Sequence, residues 1–238
     1  MILGKRVLVV VPARGGSKGI RLKNLSLFNG EPLVAVAGRA ASEICGADRK
    51  IVSTDHNRIA EVARQAGLGV PFMRGKELSG DSVSDYEVLS DALVKVELAD
   101  EVKYDLVVML QPTSPLRDKN QVQKCIRTCI EGNYDAVWTI SETDSKYHPL
   151  KQLTVTGVNN LEHYDSRGAD IIARQQLSKT YHRNGVAYAI TRECLLVQKS
   201  IKGNNTGYVI TEGEHVSIDT PEDLDRANTL YKYIHHDH

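Results

Sequence analysis

A chain of 238 residues is long enough to bury a continuous core without help from disulfides. With 41% apolar and 25% charged residues it falls within globular norms, and its 30 Lys+Arg cancel 30 Asp+Glu. Zero net charge argues against a non-specific nucleic-acid binder, which needs a basic surplus, so the charge has to be read by position.

The first apolar run, Val7 to Val11, is far shorter than a signal-peptide core or the roughly 20 residues of a membrane span. It implies a cytoplasmic protein with no membrane partner. That run, Lys50 to Thr54, Asp105 to Leu110 and Asp135 to Ser141 are continuous rather than alternating, as strands buried on both faces of a parallel sheet should be. Helical patterns lie between them. Leu33 to Cys45 is alanine-rich, Asn57 to Ala66 puts Ile59, Val62, Ala63 and Ala66 on one face, and Ser84 to Leu98 carries Val88, Leu89, Ala92, Leu93 and Val96. Cys125 and Cys129 share a helix face with Val122, Ile126 and Ile130 and read as buried, reduced thiols; with Cys45 and Cys194 they show no zinc-type spacing. Strand, helix and strand in series predict an α/β fold of three layers with right-handed crossovers.

After about Ser141 the rhythm changes to polar loops and a hairpin-like stretch, Gln152 to Tyr164, around Gly157 and an Asn159-Asn160 turn. This region reads as an insertion. Alternation resumes at Gly185 to Ile190, Tyr208 to Ile210 and Val216 to Asp219. A last helix follows, with Thr220 as its N-cap, Pro221 at its first position, and Leu224, Ala227, Leu230, Tyr231 and Ile234 as its buried stripe. The histidines beyond, His235, His236 and His238, read as a frayed polar tail or an adventitious metal binder.

Ligands of doubly wound sheets bind beyond the carboxyl ends of the strands, and three loops there carry chemistry. In Pro12 to Asn24, glycines 15, 16 and 19 allow close backbone approach and positive φ, while Arg14, Lys18, Arg21 and Lys23 put four cations within ten residues. Backbone N–H groups plus cations suit a polyphosphate, although the loop is neither a P-loop nor G-x-G-x-x-G. Leu110 to Arg117, braced by Pro112 and Pro115, presents Gln111, Thr113 and Ser114 to a polar ligand such as a sugar, or is a plain strand-to-helix turn. Asp219, at a strand end before the last helix, can hold Mg²⁺ or act as a structural acid on the helix dipole.

The runs PARGGSKGIRLKN (12–24), IVSTD (51–55), LQPTSPLR (110–117), HPLK (148–151), RQQL (174–177), RNGVAYAI (183–190) and SIDTPEDL (217–224) together resemble the CMP-sialic acid synthetases, the acylneuraminate or nonulosonate cytidylyltransferases. The resemblance spans essentially the whole chain in order. It implies a single Rossmann-like nucleotidyltransferase domain over 1–238, with 141–183 as a β-hairpin insertion that serves dimerisation and the sugar site. It also implies a homodimer that uses CTP, a nonulosonic acid and Mg²⁺, with Mn²⁺ as the alternative ion. The anomeric hydroxyl of the nine-carbon acid would attack the α-phosphorus in line, releasing pyrophosphate.

Carried over residue by residue, the resemblance gives Arg14, Ser17 and Lys23 to the triphosphate, Pro12 and Ala13 to the cytosine side, Asn24 to the ribose and Arg74 to the base. Arg14, Lys23 and Asp219 would be the catalytic residues, with Asp219 as the metal ligand. Asp81 and Asp85 would continue the nucleotide wall, Asp85 replacing a small hydroxyl residue. Gln111, Lys151, Arg174, Arg183 and Tyr188 would bind the sugar. Two departures stand out: Ser217 occupies the place of a second acid, and His182 to Gly185 replaces an Arg-Pro-Asn-Gly pattern. A transferase for eight-carbon sugar acids ranks second, and a nucleotide-binding regulatory homologue third.

Overall fold

The computed structural model describes residues 1–236. In chain order its elements are β1 (Val7–Pro12), β2 (Leu27–Phe28), β3 (Glu31–Pro32), α1 (Leu33–Ser42), β4 (Arg49–Ser53), α2 (Asn57–Gln65), α3 (Asp85–Asp100), β5 (Leu106–Met109) and α4 (Lys119–Glu131). Then come β6 (Ala136–Glu142), β7 (Leu153–Thr156), β8 (Asn160–His163), β9 (Tyr181–Thr191), α5 (Arg192–Leu196), β10 (Thr206–Ile210) and α6 (Pro221–His236), with short 3-10 turns between. The chain divides into two compact units, Met1–Thr139 with Asn184–His238, and Ile140–Arg183.

The first unit is built on a mainly parallel sheet of order β10-β6-β9-β5-β1-β4. β1 pairs in parallel with β4 and with β5, while β9 runs antiparallel beside β5, with Met109 opposite Tyr188. The continuous apolar runs have the predicted cause. Val7, Val9 and Val11 pack on one face against Val34, Ile59 and Cys125, from α1, α2 and α4. Leu8 and Val10 pack on the other with Leu89 and Leu93 of α3 and Cys194 of α5. Helices cover both faces, so neither can be polar. The cysteines agree: Cys125, Cys129 and Cys194 are buried and all four are free.

Three sequence expectations need correction. Val216 to Asp219 is not a strand. Val216 and Ile218 are buried with Phe28 and Leu33 while Ser217 is exposed, so the alternation records one-sided burial of an extended segment tied down by the Ile218 amide on the Thr113 carbonyl. The helix that begins at Leu33 stops at Ser42, three residues short of Cys45. The tail is helical through His236, with the His235 ring stacked on Tyr231 at 4.1 Å; His238 lies outside the described residues.

The second unit contains the hairpin β7–β8, in which Thr156 faces Asn160 across a turn with Gly157 and Asn159 both at positive φ. Among the described residues no helix is long and apolar enough to cross a membrane.

Candidate functional site

A cleft of about 660 Å³ opens in the first unit at the carboxyl ends of β1, β4 and β5. Its first wall is the loop that leaves β1. The Gly15 amide donates to the Asp55 carboxylate at 2.8 Å, anchoring the loop to the end of β4. None of glycines 15, 16 and 19 adopts positive φ, contrary to the sequence expectation. Gly19 is needed for a different reason, because a Cβ there would run into the Asp219 carbonyl. The left-handed residue of the loop is Leu22, at φ 51°, which turns the chain into the 3-10 turn that carries Lys23.

Lys23 is the best-held cation. Its ammonium, with a side chain only 15% exposed, donates to the Asp219 carboxylate at 2.7 Å and to the Ile218 carbonyl at 2.9 Å. Asp219 itself is 72% exposed at the cleft edge. Its neighbour Asp223 is committed to the helix start, accepting from the amides of Asp219 and Thr220 and from the Thr220 hydroxyl. Those bonds hold the Asp223 carboxyl below the usual carboxylate range. With Ser217 exposed and Asp223 engaged, Asp219 is the carboxylate that this segment offers to the cleft.

On the facing side, Asp81 takes ion pairs from Arg14 and Lys18, each at 2.8 Å, and the hydrogen bond from Lys18 above all holds its carboxyl low. Arg74 is buried beneath. It donates to the Ser53 carbonyl at 3.1 Å, and burial pulls its guanidinium below the ordinary arginine value. Its Nε and the Ser53 hydroxyl are both buried without a hydrogen-bond partner. Four cations, Arg14, Lys18, Lys23 and Arg74, thus share the cleft with three carboxylates, Asp81, Asp85 and Asp219. The local charge is nearly balanced until an anion enters, and an entering polyphosphate would compete for those cations.

The third wall is the loop after β5. Gln111, Pro112 and Thr113 line the cleft, and the Gln111 amide reaches Asp85 at 3.5 Å. Ser114 does not point outward as expected, since its hydroxyl is buried against the Asn184 carbonyl at 3.1 Å. Arg117 supplies the brace that sequence reading missed. Its guanidinium donates to the Gln111 carbonyl and to the Val186 carbonyl at 3.1 Å, tying the loop to β9. Desolvation pushes its pKa down to about 10, still charged at neutral pH. Only the run of identities around it marked Arg117 in the sequence, and nothing there showed that it faces inward.

The cleft therefore gathers Pro12, Arg14, Ser17, Lys23 and Asn24 with Arg74, Asp81, Asp85, Gln111 and Asp219. The Asn24 side chain is buried and donates to the Arg14 carbonyl at 2.9 Å, so it shapes the loop as well as lining the cleft. Ala13 is sealed in the core beside β4 rather than on the cleft. Tyr188, assigned to the sugar, is 2% exposed and packs edge-on against Trp138 in the core, because the inner face of β9 has no solvent side there. Lys151, Arg174 and Arg183 belong to the second unit and are exposed.

Among the described residues no cluster of three His, Cys, Asp or Glu side chains could cage a metal ion. Asp219 still fits a hard cation of the Mg²⁺ kind, which takes one or two carboxylates and completes its shell with water and substrate phosphates.

Residues 8–235 match the family model described as Cytidylyltransferase. The chain is similar to a pseudaminic acid cytidylyltransferase of Campylobacter jejuni, with 32% identity over 96% of this chain and 97% of that one. It is 31% identical to a CMP-N,N'-diacetyllegionaminic acid synthase of Legionella pneumophila over 92% of this chain and 93% of that one. Identity to an N-acylneuraminate cytidylyltransferase of Streptococcus agalactiae is 32% over 91% of this chain, but the match spans only 51% of that longer protein. Among solved structures, a CMP:2-keto-3-deoxy-manno-octonic acid synthetase complexed with CTP superposes with a TM-score of 0.69 at 17% identity, covering 96% of this chain and 99% of that one. At that identity the likeness speaks for the fold alone.

Proposed function

Because the chain belongs to the cytidylyltransferase family, we propose that it joins CTP to a nine-carbon sugar acid of the sialic-acid type, giving the CMP-sugar and pyrophosphate. The acid is an N-acylneuraminate or a legionaminate or pseudaminate relative. The observation that carries this is the cleft itself, where Arg14, Lys23 and Arg74 converge on a polar wall ending in Gln111 at the carboxyl edge of the sheet. The relatives named for pseudaminic, legionaminic and acylneuraminic acids support the acceptor class.

In this reading the anomeric hydroxyl gives up its proton and attacks the α-phosphorus as the bond to the β-phosphate oxygen breaks. Positioning and charge neutralisation do most of the catalysis. Arg14 and Ser17 hold the triphosphate, and Lys23 offsets the charge that grows on the departing pyrophosphate. Asn24 faces the ribose. Arg74, which lines the bottom of the cleft with its Nε unpartnered, favours a polar base edge there. Asp219 would hold Mg²⁺, or Mn²⁺, whose bound form neutralises triphosphate charge. For that, Lys23 must release the carboxylate and turn to phosphate.

We place the protein in the cytoplasm, a location that suits its four free cysteines. We also propose a homodimer assembled through residues 141–183, which supply Lys151, Arg174 and Arg183 to the acceptor. The apolar residues that the hairpin leaves exposed, Leu153, Val155 and Leu161, favour that role.

Incubation with CTP, Mg²⁺ and a panel of N-acetylneuraminic, N,N'-diacetyllegionaminic, pseudaminic and 3-deoxy-manno-octulosonic acids tests the proposal. Pyrophosphate should be released with one of the nine-carbon acids. Release only with the eight-carbon acid, or CTP binding without release, would sink it. Asp219→Ala should abolish turnover while leaving the thermal transition in place; activity retained at saturating Mg²⁺ would remove Asp219 from the metal assignment.

A further inference from the structure

A second cavity, of about 620 Å³, lies wholly within residues 140–183. Its lining includes His148, Arg174, Thr180, Asp144, Glu142 and Lys179. The charged groups divide into engaged and available. Glu142 is paired with Lys179 at 2.8 Å, and the Asp144 carboxylate accepts the Lys146 amide at 2.9 Å, which holds it low. The Arg174 guanidinium forms no ion pair within 4 Å among the described residues, although its charge is one of those that hold Asp144 low.

His148 is the unusual member. It is only 4% exposed, and its Nδ1 accepts the Leu150 amide at 3.1 Å, closing the turn that Pro149 opens. A neutral imidazole that accepts at Nδ1 carries its proton on Nε2. That Nε2–H is buried with no hydrogen-bond partner, and so is the Thr180 hydroxyl. A buried donor left without a partner is costly, so a cavity that keeps one in a lining shared with Arg174 favours an acceptor from outside.

We propose that His148 is a specificity-determining residue: its Nε2–H, together with Arg174, binds a planar oxygen acceptor of the sugar acid, either its carboxylate or an acylamide carbonyl. This rests on the cytidylyltransferase reading above and adds a residue to which that reading assigned nothing. Both acceptors present an sp² oxygen, and the carboxylate adds the charge that Arg174 matches. The cavity's own acids are tied up by Lys179 and the Lys146 amide, so they do not repel it strongly.

The test uses the whole protein and whichever nine-carbon acid of the panel releases pyrophosphate. His148→Asn leaves an amide oxygen near the position of Nδ1, preserving the Leu150 bond while deleting the Nε2 donor. KM for the sugar acid should rise roughly tenfold or more, with KM for CTP within about twofold of the parent. His148→Gln, whose amide nitrogen reaches toward the Nε2 position, should recover most of the loss. A free-amine analogue of the acid separates the two acceptors. If parent and His148→Asn then show equal KM, the partner is the acyl carbonyl; if the gap persists, it is the carboxylate.

An unchanged sugar KM in His148→Asn, or an equal rise in the KM for CTP, overturns the inference while turnover by the parent leaves the enzyme reading standing. A melting temperature that falls in step with the lost affinity in both variants makes His148 structural and also overturns it. Turnover with none of the nine-carbon acids overturns both.

Discussion

At the scale of single residues, the Lys23 ammonium is the pivot of the cleft. It is shielded on most sides, and its two acceptors, the Asp219 carboxylate and the Ile218 carbonyl, lie in one short segment. Such a cation is held in place before any ligand arrives, and a phosphate gains its charge by drawing it off Asp219. Lys23→Ala should lower turnover at least tenfold, about 1.4 kcal/mol of transition-state stabilisation, measured as initial pyrophosphate release at saturating substrates. A nearly unchanged rate would leave the first loop a binding role alone. Much of this was legible from residue types, since a Gly-rich loop with four cations names its ligand class. What was not legible is pairing. Arg14 and Lys18 share Asp81, about sixty positions away, and spacing along a chain carries no trace of such a partner.

Among the elements, the stiffest link is the one between the β5 loop and β9. Gly185 sits at φ 74°, and a Cβ there would strike the Ser114 hydroxyl, while Arg117 and Ser114 stitch the same two segments with buried hydrogen bonds. Gly185→Ala should therefore cost about 2–4 kcal/mol, from left-handed backbone strain plus overpacking, read as a shift in the urea midpoint at constant slope. Stability equal to the parent would show that the loop yields. The four continuous apolar runs mark β1, β4, β5 and β6 to within a residue at each end, because such runs have one physical cause, whereas β9 begins at Tyr181, well before Gly185. The sequence fails at Val216 to Asp219 because alternation reports burial, not pairing. It also fails at Tyr188, since aromatic residues near a loop serve a core as readily as a ligand.

For the molecule as a whole, the hairpin unit poses the question of assembly. Val155 and Leu161 stand directly opposite each other across β7 and β8, and both are more than half exposed. Cross-strand apolar pairs left in water are costly to solubility unless covered. Val155→Glu combined with Leu161→Lys should convert a dimer to a monomer in light scattering, with the thermal transition of the first unit retained. A parent protein that is monomeric at micromolar concentration would remove the homodimer proposal. The insertion could be read from the loss of strand-helix rhythm after Ser141, but its cavity could not. His148 looked like one letter of a motif until its two ring nitrogens were seen to face different fates.

The Lys23–Asp219 pair joins positions 196 residues apart, and nearby the Asn29 amide donates to the Asn228 side chain across 199. Translation delivers these partners at opposite times. β1, its loop and β4 leave the ribosome early, yet the ammonium has no carboxylate to meet until the segment before α6 has also emerged. The carboxylate proposed for the metal ion is thus among the last parts of the cleft to arrive, so a growing chain carries the cations of its first loop and Arg74 before the acid that balances Lys23.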